Sequence, residues 1–183
     1  MLTLAAPRGS VFSTTSRTKR RGVCLSGGNM SAYLLALLVG IVAGLRAMTA
    51  PTAMSWAAFL GWLDVSGTWL AFLGRTLARW ILTTLALVEL VTDQLPSTPS
   101  RTVPVQFGAR ILAGAFSGAA VGAARGATVG GLLAGGMGAV IGTLGGRALR
   151  ARLAAALGSD RPAALLEDVV ALGGALLIGL ALR

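Results

Sequence analysis

The 183-residue chain has no histidine and one cysteine, Cys24. With a single thiol, no disulfide forms within the chain. Zinc, haem and iron–sulfur centres built from Cys and His clusters are excluded. A Ser-His-Asp or Cys-His nucleophile has no base available. Charge is scarce too. Charged residues make up 12% of the chain, against about 25% in a soluble domain. Hydrophobic residues make up 55%, so there is too little polar surface to cover a globule in water. The chain reads as one integral membrane domain with the lipid bilayer as its partner.

The net charge of +10 raises nucleic acid as a partner, and its distribution argues against one. Arg17, Lys19, Arg20 and Arg21 precede the hydrophobic part, and nearly all other arginines lie at the ends of apolar runs. No basic face is interleaved with aromatics. The arginines read as topology signals and lipid headgroup contacts.

What the chain has in abundance is glycine. From Gly114 to Gly146 every fourth residue is Gly114, Gly118, Gly122, Gly126, Gly130, Ala134, Gly138, Gly142 and Gly146. Branched apolar residues such as Val121, Leu132 and Ile141 lie between them, where a flexible linker would carry Ser and charge. In a membrane this spacing lets helix backbones approach closely. Steps of four residues drift by 40° each at 100° per residue, so one straight helix cannot aim the whole stripe at one partner. The spacing predicts a hairpin that breaks near Ala123–Ala127, with Arg125 at the water interface.

Residues 1–29 are polar and basic, and read as a disordered segment. A signal-peptide reading fails because Arg46 and Met48 spoil a cleavage site after the apolar run. The segment reads either as a short cytoplasmic tail or, the favoured reading, as lying upstream of a translation start at Met30, which leads straight into that run. The first run spans Ala32 to Ala50 and ends at Pro51, with Ala32, Ala36, Gly40 and Gly44 four apart and Arg46 in its last turns. The second, Met54 to Leu73, is weaker. Asp64, Ser66 and Gly67 interrupt it, and Trp56, Trp62 and Trp69 are spread through it. It reads as a broken span or as two half-helices that dip in and return. The third runs from about Leu77 to Leu95 and stops at Pro96. The fourth and fifth carry the glycine stripe. The sixth, Ala163 to Leu182, follows Pro162 and has Ala171, Ala175 and Gly179 four apart. The expected fold is an all-α membrane bundle of about six hydrophobic helices, with five or six crossings and glycine-zipper packing. Gly40, Gly44, Gly114, Gly118, Gly122, Gly130, Gly138 and Gly142 are the expected packing positions. Charge convergence favours six crossings, and the positive-inside rule favours five.

If the second region crosses, Arg46, Glu89, Asp93, Arg110, Arg147, Arg150, Glu167 and Asp168 converge at one side of the membrane. Glu89 is seven residues before Pro96 and Arg110 six after Pro104, which puts both roughly 10 Å inside the loop ends. A Glu89–Arg110 pair follows from that matching depth, since unpaired charge inside a membrane is costly. The polar cluster is therefore Arg46, Glu89, Asp93, Arg110, Glu167 and Asp168. Glu167 and Asp168 have a plainer explanation as well, because acids near a helix N-terminus complement its dipole.

Gly44-Leu45-Arg46-Ala47 closes the first run, and Glu89-Leu90-Val91-Thr92-Asp93-Gln94-Leu95-Pro96 closes the third. Arg110-Ile111-Leu112-Ala113-Gly114-Ala115 opens the fourth, and Leu166-Glu167-Asp168-Val169 lies early in the sixth. In this order, over about Met30 to Leu182, the chain resembles the bacterial membrane proteins grouped as domain of unknown function 4126. Gln94 stands where that resemblance leads one to expect a lysine. The resemblance implies a small bacterial inner-membrane protein and no activity. Two functions then compete. One is a small transporter or channel component using the Arg/Glu/Asp cluster. The other is a structural or assembly protein packing through its small-residue stripes, against itself as a homo-oligomer or against a partner. No enzyme is expected, and no cofactor or metal.

Overall fold

The structure is a computed structural model and describes residues 28–93 and 103–183. The expectations for residues 1–27, and for the Pro96 stop and most of the loop after it, lie outside the described residues. Among the described residues six α-helices follow one another: α1 (Gly28–Leu45), α2 (Thr49–Phe59), α3 (Thr76–Thr92), α4 (Pro104–Ala124), α5 (Thr128–Leu157) and α6 (Asp160–Ala181). A 3-10 helix, Trp69–Gly74, joins α2 to α3. No strand occurs among the described residues. Three stretches, Pro104–Ala124, Thr128–Ala156 and Pro162–Ala181, are long and apolar enough to cross a membrane, and Met30–Leu45 is a shorter apolar helix.

The hairpin predicted from the stripe's drift is present. α4 ends at Ala124, and Arg125 is exposed at the turn. Gly126 takes a left-handed φ of 72°, a conformation cheap for glycine alone. The chain then re-enters a helix at Thr128.

α5 is gripped on two sides. One side meets α4: a methyl group at Gly118 would lie on the carbonyl oxygen of Gly131, and one at Gly135 on that of Gly114. At Gly114 it would come 2.6 Å from the Ala139 side chain, and at Gly122 2.5 Å from the Ala127 carbonyl oxygen. The other side meets α1: a methyl at Gly138 would lie on the Leu37 carbonyl oxygen, at Gly142 on that of Ile41, and at Gly130 on the Tyr33 ring. From α1, Gly40 faces the Gly135 carbonyl and Gly44 that of Ala139. All eight packing positions read from the sequence lie at these contacts. The second stripe on α5, Gly131, Gly135 and Ala139, escaped that reading. It runs one residue behind the first, and doubled glycines hide its period.

Two boundaries differ from expectation. The first run is not one helix. α1 stops at Leu45, the chain turns at Arg46–Met48, and Pro51 falls in the first turn of α2 rather than ending α1. Proline is tolerated there because the first N–H groups of a helix have no partner within it. The second region is broken, as Asp64, Ser66 and Gly67 lead one to expect, into α2 and the 3-10 helix, but its first piece starts at Thr49 rather than Met54. α2 has 11 residues, about 16 Å of rise against a core of about 30 Å. α2 and α3 instead form an antiparallel pair. The Thr52 hydroxyl donates to the Leu82 carbonyl at 2.9 Å, and the Trp56 indole N–H donates to Thr83 Oγ1 at 3.1 Å. The Ser55 hydroxyl donates to the Leu73 carbonyl at 2.6 Å. Ala171, Ala175 and Ile178 of α6 are buried, and a Cβ at Gly174 would come 3.2 Å from the Val42 side chain of α1, while one at Gly179 would meet nothing.

Candidate functional site: a buried ion cluster at a helix break

The break at Arg46–Met48 leaves backbone groups exposed at the end of α1 and the start of α2. A helix end leaves carbonyls and N–H groups without internal partners, and lipid offers none. Two charged side chains meet them. Glu89, near the C-terminal end of α3, accepts from the Ala47 N–H through Oε1 and from the Met48 N–H through Oε2, both at 2.8 Å. Arg110, two turns into α4, donates through Nη1 to the Gly44 carbonyl at 2.8 Å and also to that of Leu45. From α5, the Thr143 hydroxyl reaches the same Gly44 carbonyl at 3.1 Å.

Arg46 itself is 2% exposed. It donates through Nε to Asp168 Oδ1 of α6 at 2.7 Å, and through Nη2 to the same oxygen. Its Nη1 lies 3.7 Å from Asp93 Oδ2, and Arg110 Nη2 lies 3.8 Å from that oxygen. Asp93 therefore sits between two guanidinium groups as an electrostatic partner, beyond ordinary hydrogen-bond reach of either. One layer further out, Arg150 Nη1 of α5 lies 3.8 Å from Glu167 Oε2.

All six cluster residues named from the sequence thus gather at the end of α1. Arg150 joins them, whereas Arg147 is exposed. The pairing differs from expectation. Glu89 does not take Arg110, because the break supplies two backbone donors to Glu89 and two carbonyls to Arg110. Asp93, one turn further along α3, takes the position facing both arginines. The dipole explanation for Glu167 and Asp168 also fails. α6 begins at Asp160, which puts both acids beyond its first turn, where the dipole effect fades.

A cavity of about 380 Å³ lies between α2, α3 and α6. Arg46 forms part of its wall, together with Thr49, Thr52 and mainly apolar side chains, and none of the cluster's carboxylates lines it. No group of His, Cys, Asp and Glu suited to holding a metal occurs among the described residues.

Residues 33–181 match the family model described as Domain of unknown function (DUF4126). No curated protein and no solved structure gives a match. The match spans most of the chain and takes in the residues of the ion cluster, and the chain belongs to the DUF4126 family.

Proposed function

We propose that this chain is a multi-pass bacterial inner-membrane protein with a structural or assembly role, in which the ion cluster clamps a broken helix inside the bilayer. One observation carries the reading: Glu89 and Arg110 spend their hydrogen bonds on the backbone at the Arg46–Met48 break. Charges used in this way are committed to the fold and are not free to bind and release a substrate. The small-residue contacts of α1, α4 and α5 act as a glycine zipper, and the six α-helices form one bundle around it. Self-association uses the apolar faces left open on α3 and α6. The transporter reading needs a polar path to the carboxylates, and the 380 Å³ cavity reaches none of them.

The test is Glu89→Gln. An amide accepts one backbone N–H and turns its own N–H₂ toward the other, so the variant loses about 2 kcal/mol of stability. Thermal unfolding of the purified protein in detergent reads that loss. An unchanged melting temperature, together with loss of proton or ion flux in reconstituted vesicles, would replace the structural reading with transport.

A further inference from the structure

Among the described residues, the cluster at the helix break is one of two places where arginine is buried. The other is Arg79 on α3, fourteen residues before Asp93 and so about 20 Å away along the helix. Arg79 is 8% exposed. Its guanidinium carbon lies 3.6 Å from the Phe59 ring centroid, 4.7 Å from that of Trp56 and 5.4 Å from that of Trp80. These rings hold the guanidinium by cation–π attraction. Among the described residues it makes no hydrogen bond and no ion pair, and its Nε is buried without a partner. A guanidinium in this state is a costly group in a membrane. It is also a rigid fork of donors suited to phosphate or carboxylate.

The cavity between α2, α3 and α6 supplies a second, independent observation. Trp56, whose ring stacks on Arg79, is also part of the cavity wall. So is Thr83, whose hydroxyl donates to the Arg79 carbonyl at 2.7 Å. Leu60, Leu87 and Leu176 make much of the remaining wall apolar. At about 380 Å³ the cavity falls within the range of about 300–1,000 Å³ typical of ligand sites. Arg79 does not itself line the cavity; the Trp56 ring, which does, lies between them and sets the guanidinium one side chain away from the apolar groove.

We propose that the α2–α3–α6 groove binds an anionic phospholipid, with an acyl chain in the groove and the headgroup phosphate on Arg79. Charge selects this occupant. Arg75, exposed at the N-cap of α3, adds a second cation four residues earlier. The first turn of α3 contains no acidic residue, so the helix dipole there also favours an anion. A zwitterionic lipid brings a cation of its own against these groups. A soluble anion leaves the groove unused.

The experiment counts lipid retained by the full-length protein after extraction from vesicles of phosphatidylcholine mixed with phosphatidylglycerol. Wild type retains phosphatidylglycerol in preference to phosphatidylcholine. Arg79→Gln lowers that retention about tenfold, the loss expected for one charged hydrogen-bonded contact. Gly179→Leu fills the groove from a wall position where a Cβ meets nothing, so it lowers retention while leaving the melting temperature unchanged. Arg125→Gln, at the exposed turn, retains lipid like wild type. Equal retention of the two lipids by wild type overturns the proposal, as does unchanged retention in Arg79→Gln. Displacement of the lipid by excess inorganic phosphate overturns it in favour of a soluble anion. If Arg79→Gln does not fold, unchanged retention in Gly179→Leu is decisive against it.

Discussion

α1, α4 and α5 meet backbone to backbone, whereas α2 and α3 meet each other through side chains. In the first region glycine brings carbonyl oxygens against facing helices, as at Gly138 and Leu37 or Gly118 and Gly131. In the second, hydroxyls and an indole reach across from Thr52, Ser55 and Trp56. Burial follows the same division. α4 buries nine residues, among them the run Ser117–Gly122, whereas Arg79 is the only buried residue of α3. Lipid tails are as apolar as leucine, so hydrophobicity alone does not hold helices together in a bilayer. Close packing and polar contacts must do so. The two regions use these two means separately, and the ion cluster joins them, since Glu89 and Asp93 come from α3 and Arg110 from α4.

Three substitutions, the first paired with a control, probe that division. The largest effect is expected at Gly138→Leu, where the new side chain meets the Leu37 backbone carbonyl, an obstacle that no rotamer change removes. A loss of at least about 4 kcal/mol, or failure to fold, is expected. Gly173→Ala is its control, because a Cβ there meets nothing, and stability should stay within about 1 kcal/mol of wild type. Purified yield and thermal unfolding in detergent distinguish the two. Equal behaviour would show that the backbone contact of α1 and α5 is not what holds the first region.

Asp168→Asn comes next. It removes the charge that faces Arg46, and breaking a buried pair costs about 3 kcal/mol. Because Asp168 belongs to α6 and Arg46 to the break, the loss should appear as earlier proteolysis around the Arg46–Met48 turn. Unfolding that stays uniform along the chain would count against the clamp. The smallest effect belongs to Ser55→Ala. It leaves the Leu73 carbonyl without its 2.6 Å partner and should cost about 1 kcal/mol, loosening the α2–α3 pair alone. Hydrogen exchange confined to α2, the 3-10 helix and α3 would confirm that these elements open as a unit.

The glycine framework was legible in the sequence because its period is long and regular. Angular drift, with a stripe too long for one membrane crossing, called for a turn, and the charge of Arg125 marked its place. Gly131 and Gly135 were missed because a stripe offset by one residue looks the same in sequence as a run of doubled glycines. The membership of the ion cluster was legible for the opposite reason: charges stand out in a chain this apolar. Their pairing was not. Helix depth put Glu89 and Arg110 at one level, but their partners are backbone atoms freed by a break that Ala32–Ala50 does not announce. Arg46 is the only charged residue in that run, and nothing local says whether it ends a turn or breaks the helix. Arg79 was passed over because a basic residue near a tryptophan at the start of an apolar run looks like an ordinary interfacial arginine.

The Arg46–Asp168 bond joins residues 122 positions apart, and this bears on how the protein is made. Synthesis at about 5–20 residues per second separates the two by on the order of 10 s. Through that interval Arg46 can face only Asp93 of α3, which lies 3.7 Å from its Nη1, beyond hydrogen-bond reach. Its hydrogen bonds to a carboxylate come only when α6 brings Asp168. α6 therefore completes the contacts that hold α1 at its final depth, and truncation before α6 should leave α1 shallow.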